Sequence, residues 1–93
     1  MKDTVTFKTP VRLDTVTSPK ASEELKAITA VGVSRLVIDM SDTEYISSMG
    51  LRTIFEIQKL VQKSGGTILV RNLQPMVVKV FEITGFADII NLE

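Results

Sequence analysis

Two adjacent serines, Ser47 and Ser48, stand where the pattern of residues 36–61 changes from strand to helix. Leu36-Val37-Ile38 is apolar and rich in β-branching, the pattern of a strand buried on both faces. Asp39, Ser41 and Asp42 end that run, because their side chains bond nearby backbone and favour turns. Beyond Tyr45 and Ile46 the apolar period becomes helical through Leu51, Ile54, Phe55, Gln58 and Val61, with Ile57 and Leu60 widening the stripe. Ser48 therefore falls at a helix start, and the spacing predicts it as the N-cap. No capping box accompanies it, since the third residue beyond is Leu51.

Local chemistry leaves two readings of Ser48 open. One is a structural cap, worth about 1 kcal/mol. The other is a modification site, since a helix start presents unpaired N–H groups and a positive dipole end that suit a phosphate. A phosphate there adds roughly 1.5 to 2 negative charges, enough to repel a partner docked on that surface. Nucleophilic catalysis fits poorly. The chain has neither histidine nor cysteine, so no Ser-His-Asp or Cys-His arrangement can be built, and no spacing points to a Ser-Lys pair.

The other chemical candidates are weaker. Asp39 at a strand end is expected to bond the turn over residues 41–43, and Asp14 at a neighbouring strand end leaves a carboxylate pair for acid–base or Mg²⁺ chemistry open. Gly65-Gly66 lies after a helix and before a strand, which is the wrong context for a phosphate loop and the right one for a helix stop. Phe7, Phe55, Phe81 and Phe86 read as core. Met49 is either an exposed, adaptable contact or tucked against the fold. Lacking cysteine and histidine, the chain has no disulfide, no thiolate or imidazole metal site and no expected cofactor. Eleven basic and eleven acidic residues give zero formal charge, without the basic stripe of a nucleic-acid binder. No apolar run reaches the roughly 18 residues that a membrane span needs. A cytoplasmic location without membrane insertion is the expectation.

The surrounding elements follow a strand–helix alternation. At 93 residues and 44% hydrophobic content, the chain reads as one domain over residues 1–93 with a real core. Val5-Thr6-Phe7 and Val11-Arg12-Leu13 read as two short extended pieces forming an edge hairpin around Pro10. Thr17-Ser18-Pro19 reads as a serine cap with proline at the first helical position, ahead of a stripe at Ala21, Leu25 and Ile28 that stops at Gly32. Thr67-Ile68-Leu69-Val70 is a second buried strand. Pro75 opens a helix whose apolar arc includes Val77, Val80 and Phe81, spread by Val78 and Ile83 and ended by Gly85. Residues 87–92 supply a last strand or a docked tail. This order argues for an α/β fold with right-handed crossovers and one lightly covered sheet face.

The block Y-I-S-S-M-G-L-R, following L-V-I-D-M-S, resembles the STAS family, and within it the bacterial anti-sigma factor antagonists. Val11-Arg12-Leu13-Asp14 is similar to that family's early strand end, and N-L-Q-P-M-V-V-K-V-F-E-I-T-G-F to its last helix. The resemblance implies a small STAS-type α/β domain, a mixed and mostly parallel sheet of about four to five strands on about three helices. It also implies a non-enzymatic switch. The unphosphorylated form binds an anti-sigma factor that is itself a serine kinase with a histidine-kinase-like ATPase fold, and so frees a sigma factor. Phosphorylation breaks the complex and a PP2C-type serine phosphatase restores it. Ser48 matches the family's phosphorylated position, with Ser47 the less favoured alternative. Asp14, Ser47, Ser48, Met49, Gly50 and Arg52 match the docking surface. Ser47 stands where many members carry aspartate, and Met49 is bulkier than the usual residue after the serine, which bears on partner choice. The alternative within the same fold is a constitutive STAS scaffold, or an accessory subunit of a signalling or transport assembly, without phosphoregulation.

Overall fold

The computed structural model of the chain describes residues 2–93. In chain order its elements are β1 (Lys2–Lys8), β2 (Arg12–Leu13), α1 (Ser18–Ala30), β3 (Val33–Asp39), β4 (Tyr45–Ile46) and α2 (Ser48–Lys63). There follow β5 (Thr67–Arg71), α3 (Pro75–Ile83), a 3-10 turn at Phe86–Asp88 and β6 (Asn91–Leu92). The main sheet has the order β1-β3-β5-β6, and β2 and β4 form a separate two-stranded sheet. Every one of these pairings is parallel. The expected α/β architecture with three helices stands, although the sheet is wholly parallel where a mixed one was expected, and β1 lies at the edge as its polarity suggested.

The alternation of side chains along the strands assigns the two faces. Leu36, Ile38, Ile68 and Val70 point into one core with Leu25, Ile54, Ile57, Val61, Val77 and Phe81 from the helices. Thr4, Thr6, Arg35 and Thr67 alternate with them and are exposed on the other face. No described helix covers the exposed residues of that face, and Val37, buried there, lies in register between Thr6 and Leu69.

Three expectations about local structure are corrected. The first two extended pieces do not form a hairpin, since β1 pairs with β3 and β2 with β4. The chain changes sheets at Thr9-Pro10, where proline has no N–H to offer a ladder. Thr43, fully buried, donates to the Pro10 carbonyl at 2.7 Å and bonds the Thr9 hydroxyl, while Glu44 N–H reaches the Val11 carbonyl at 2.8 Å. These bonds take the groups a hairpin would have used. Ser18 is not a cap but the first residue of α1, buried, its hydroxyl without a partner among the described residues. Thr17 holds the cap position, and Asp14 accepts its N–H. Ile83 and Leu60, assigned to apolar arcs, are 84% and 40% exposed.

Thr43→Val is expected to destabilise the protein by about 1–3 kcal/mol, because it leaves the half-buried Pro10 carbonyl and the Thr9 hydroxyl without their partner. Urea unfolding measures it, and Thr43→Ser is expected to retain most of the stability.

Candidate functional site

The two-stranded sheet sets the position of the serines. Arg12 pairs with Tyr45 and Leu13 with Ile46, and the register continues as Ser47 N–H donates to the Leu13 carbonyl at 3.0 Å. Ser47 is extended (φ −93°, ψ 173°), and its hydroxyl accepts Gly50 N–H at 3.2 Å. Its carbonyl takes the first intrahelical bond, from Leu51 N–H at 3.0 Å. Ser47 is therefore the N-cap, not Ser48 as the spacing predicted. The cap needs an extended backbone, and the strand delivers that conformation to Ser47, one residue earlier than the apolar period indicates. Ser48 becomes the first helical residue, exposed, its hydroxyl making no hydrogen bond among the described residues.

Gly50 is where helix and small sheet touch. A Cβ there would lie 2.5 Å from the Leu13 carbonyl oxygen and 2.8 Å from Ile46 Cγ1. The Leu13 oxygen is backbone already bonded to Ser47, so it cannot withdraw cheaply. Met49 is 38% exposed at the same helix start, which favours the reading of an accessible contact. Arg52 is exposed one turn beyond Ser48, on the same helix face.

Asp14 follows Leu13 directly, in the turn that leads into α1. Its Oδ1 accepts N–H from Val16 at 3.0 Å and from Thr17 at 3.1 Å, while Oδ2 takes Arg12 Nε at 3.2 Å. The bond from Thr17 N–H leads in holding its carboxyl below the ordinary value of 3.8; loss of solvent opposes it, and the bonds from Val16, Arg12 and the Thr17 hydroxyl add to the lowering. Arg12 also lies over the Tyr45 ring, 4.4 Å from its centre, a cation–π contact. Arg12 and Tyr45 thus join Asp14, Ser47, Ser48, Met49 and Arg52 on one surface. They were missed because their contact depends on the β2–β4 pairing. Strands of two residues leave almost no alternation from which that pairing could be read.

Asp39 behaves as a turn residue. Ser41 N–H donates to it at 2.9 Å and Asn72 Nδ2 at 3.1 Å, and these bonds lower its pKa, the Ser41 backbone bond most. Asp14 and Asp39 are thus each engaged by a separate turn. No group of three or more Asp and Glu side chains among the described residues is placed to hold a metal ion, and no described helix is long and apolar enough to cross a membrane.

Gly50→Ala is expected to cost about 1–3 kcal/mol through overpacking, read by chemical denaturation. The Asp14 carboxylate stabilises the fold fully above about pH 3.8, the ordinary value, and its contribution is lost as pH falls through the lower folded value. The stability gap between wild type and Asp14→Asn should accordingly be constant near neutrality and close in acid, as thermal unfolding against pH will read.

A family model described as the STAS domain matches residues 2–93. BtrV of Bordetella bronchiseptica, assigned as an anti-sigma factor antagonist, is 39% identical over 66 residues, covering 71% of this chain and 57% of its own. The anti-sigma-B factor antagonist of Bacillus subtilis is 32% identical over 80 residues, covering 86% of this chain and 72% of its own. The chain thus spans little more than half of BtrV's length. Among solved structures, the Thermotoga maritima protein TM1081 superposes with a TM-score of 0.88 at 22% identity, covering 99% of this chain and 80% of its own. SpoIIAA of Bacillus shares the fold in its unphosphorylated and phosphorylated forms, with TM-scores of 0.76 and 0.75 at 17% identity, covering 100% of this chain and 81% and 85% of its own. With the whole described chain matched and the Bacillus subtilis relative aligned across most of both sequences, this chain belongs to the STAS domain family and is homologous to its anti-sigma factor antagonists.

Proposed function

We propose that this protein is an anti-sigma factor antagonist switched by phosphorylation of Ser48. Unphosphorylated, it binds an anti-sigma factor serine kinase of the histidine-kinase-like ATPase fold and so releases a sigma factor. Phosphorylation ends that binding, a PP2C-type phosphatase restores it, and the cycle runs in the cytoplasm. The observation that carries this reading is the division of labour between the serines. Ser47's hydroxyl is committed to Gly50 N–H, while Ser48's is exposed and unengaged. A kinase can thus modify Ser48 without removing the cap. The first turn of α2 contains no acidic side chain, so a phosphate there meets the positive helix end unopposed from its own turn.

The docking surface is assigned to Ser48, Met49 and Arg52 of α2, flanked by Asp14, Arg12 and Tyr45. Met49 supplies the apolar contact, with charges of both signs around it. Two added negative charges at its centre would oppose a partner's acidic groups and strand any apolar group seated there.

The test is a pair of affinity captures from lysate of the source cells, with wild type and Ser48→Asp as baits, read by mass spectrometry. A serine kinase held by wild type and lost, by about tenfold or more, from Ser48→Asp is the expected result. Incubated with that kinase and ATP, wild type should gain phosphate at Ser48, while Ser48→Ala should stay folded, bind and gain none. Full incorporation in Ser48→Ala would move the site to Ser47. Identical partners on both baits, with the phosphorylated protein behaving likewise, would support the constitutive scaffold instead.

A further inference from the structure

An open cleft of about 400 Å³ lies between the end of β1 and the first turns of α1, built from side chains that the serine surface does not use. Phe7, Pro10 and Ala21 are its more buried lining, and Val16, 83% exposed, adds apolar surface at its rim. Lys8, Lys20 and Glu24 supply its charges. Lys8 Nζ lies 3.4 Å from Asp42 in an exposed pair, and Lys20 makes no ion pair among the described residues. The volume falls within the range of small-molecule sites, which are mainly apolar with a few polar groups fixing orientation.

The lining selects among ligand classes. A base or sugar needs several free hydrogen-bonding groups, and the cleft offers few. Thr17's hydroxyl already donates to the Arg12 carbonyl at 2.6 Å and accepts Asp14 N–H at 3.0 Å. Two lysines favour an anion, while Glu24, one turn beyond Lys20, and Asp42 beside Lys8 oppose a polyanion. What remains is one negative charge on an apolar body. We propose that this cleft binds a medium-chain aliphatic carboxylate, its head at Lys20 and Lys8 and its hydrocarbon covering Phe7 and Val16. The site is independent of the Ser48 switch and stands or falls separately from it.

Sodium decanoate, kept below its micelle concentration and titrated into ¹⁵N-labelled full chain, tests the assignment by NMR. Saturable shifts confined to residues 7–10 and 16–24 are expected. Lys20→Glu and Val16→Asp, both at exposed positions that folding does not depend on, should each weaken binding by about fivefold or more, with amide spectra confirming the fold. Shifts that do not saturate, that spread over the surface, or that both variants leave unchanged would overturn the proposal. So would decanol binding as tightly as decanoate, or adenosine monophosphate binding more tightly than either.

Discussion

The carbonyl oxygen of Leu13 is the point on which the site depends. It accepts Ser47 N–H at 3.0 Å and occupies the space where any side chain on Gly50 would begin. One atom therefore fixes the cap residue, the axis of α2 and the distance between that helix and β2. The strand carrying it is only two residues long, and a two-stranded ribbon has little stability of its own. Its rigidity comes from its ends. Asp14 locks the turn after it with backbone bonds to Val16 and Thr17, and Thr43 holds the segment before it through the Pro10 carbonyl.

That arrangement separates folding from switching. A cap is worth about 1 kcal/mol, and Ser47 supplies it without Ser48. Charge at a helix start is worth about 0.3–1 kcal/mol at an exposed position, in the stabilising direction for an anion. Phosphate on Ser48 would thus perturb the fold by less than a typical core substitution. At a docked interface the same charge acts on a partner's desolvated groups, where truncating one member of a buried pair costs 2–5 kcal/mol or more. The larger effect falls on binding. The proposed switch would thus report through its partner while the domain keeps its shape.

What the sequence revealed and what it hid have physical causes. Long periodic segments were legible: the stripe of α2 led to Ile54, Ile57 and Val61, all fully buried, and even to Gln58, whose Nε2 bonds the Ile89 carbonyl. The glycine stops at Gly32, Gly65 and Gly85 were legible because each takes a positive φ that other residues resist. The pairing of β2 with β4 was not, since two-residue strands carry almost no alternation and their partners lie far apart in the chain. The error at Ser48 followed from that miss. Apolar period places a helix start to within a residue or two, and only the incoming strand decided which serine was extended. Ile83 was misjudged for a different reason: a short helix covering a small sheet buries a narrower arc than its apolar residues would fill, and Val77 and Phe81 suffice.

Parallel connections place the C-terminal ends of the strands and the N-terminal ends of the helices at one edge of the fold. The Ser48 surface and the α1 cleft both lie there, and one turn stands between them. Thr17 lines the cleft, its hydroxyl bonds the Arg12 carbonyl and the Asp14 N–H, and Asp14 flanks the serines. Proximity alone does not couple two sites. A cleft ligand changes affinity at Ser48 only to the extent that it binds two states of this turn differently. The turn's many short-range bonds argue for a single state, with the cation–π contact of Arg12 on Tyr45 holding its outer side. A turn so constrained insulates one surface from the other, so a partner docked on the proposed Ser48 surface would read Ser48 alone.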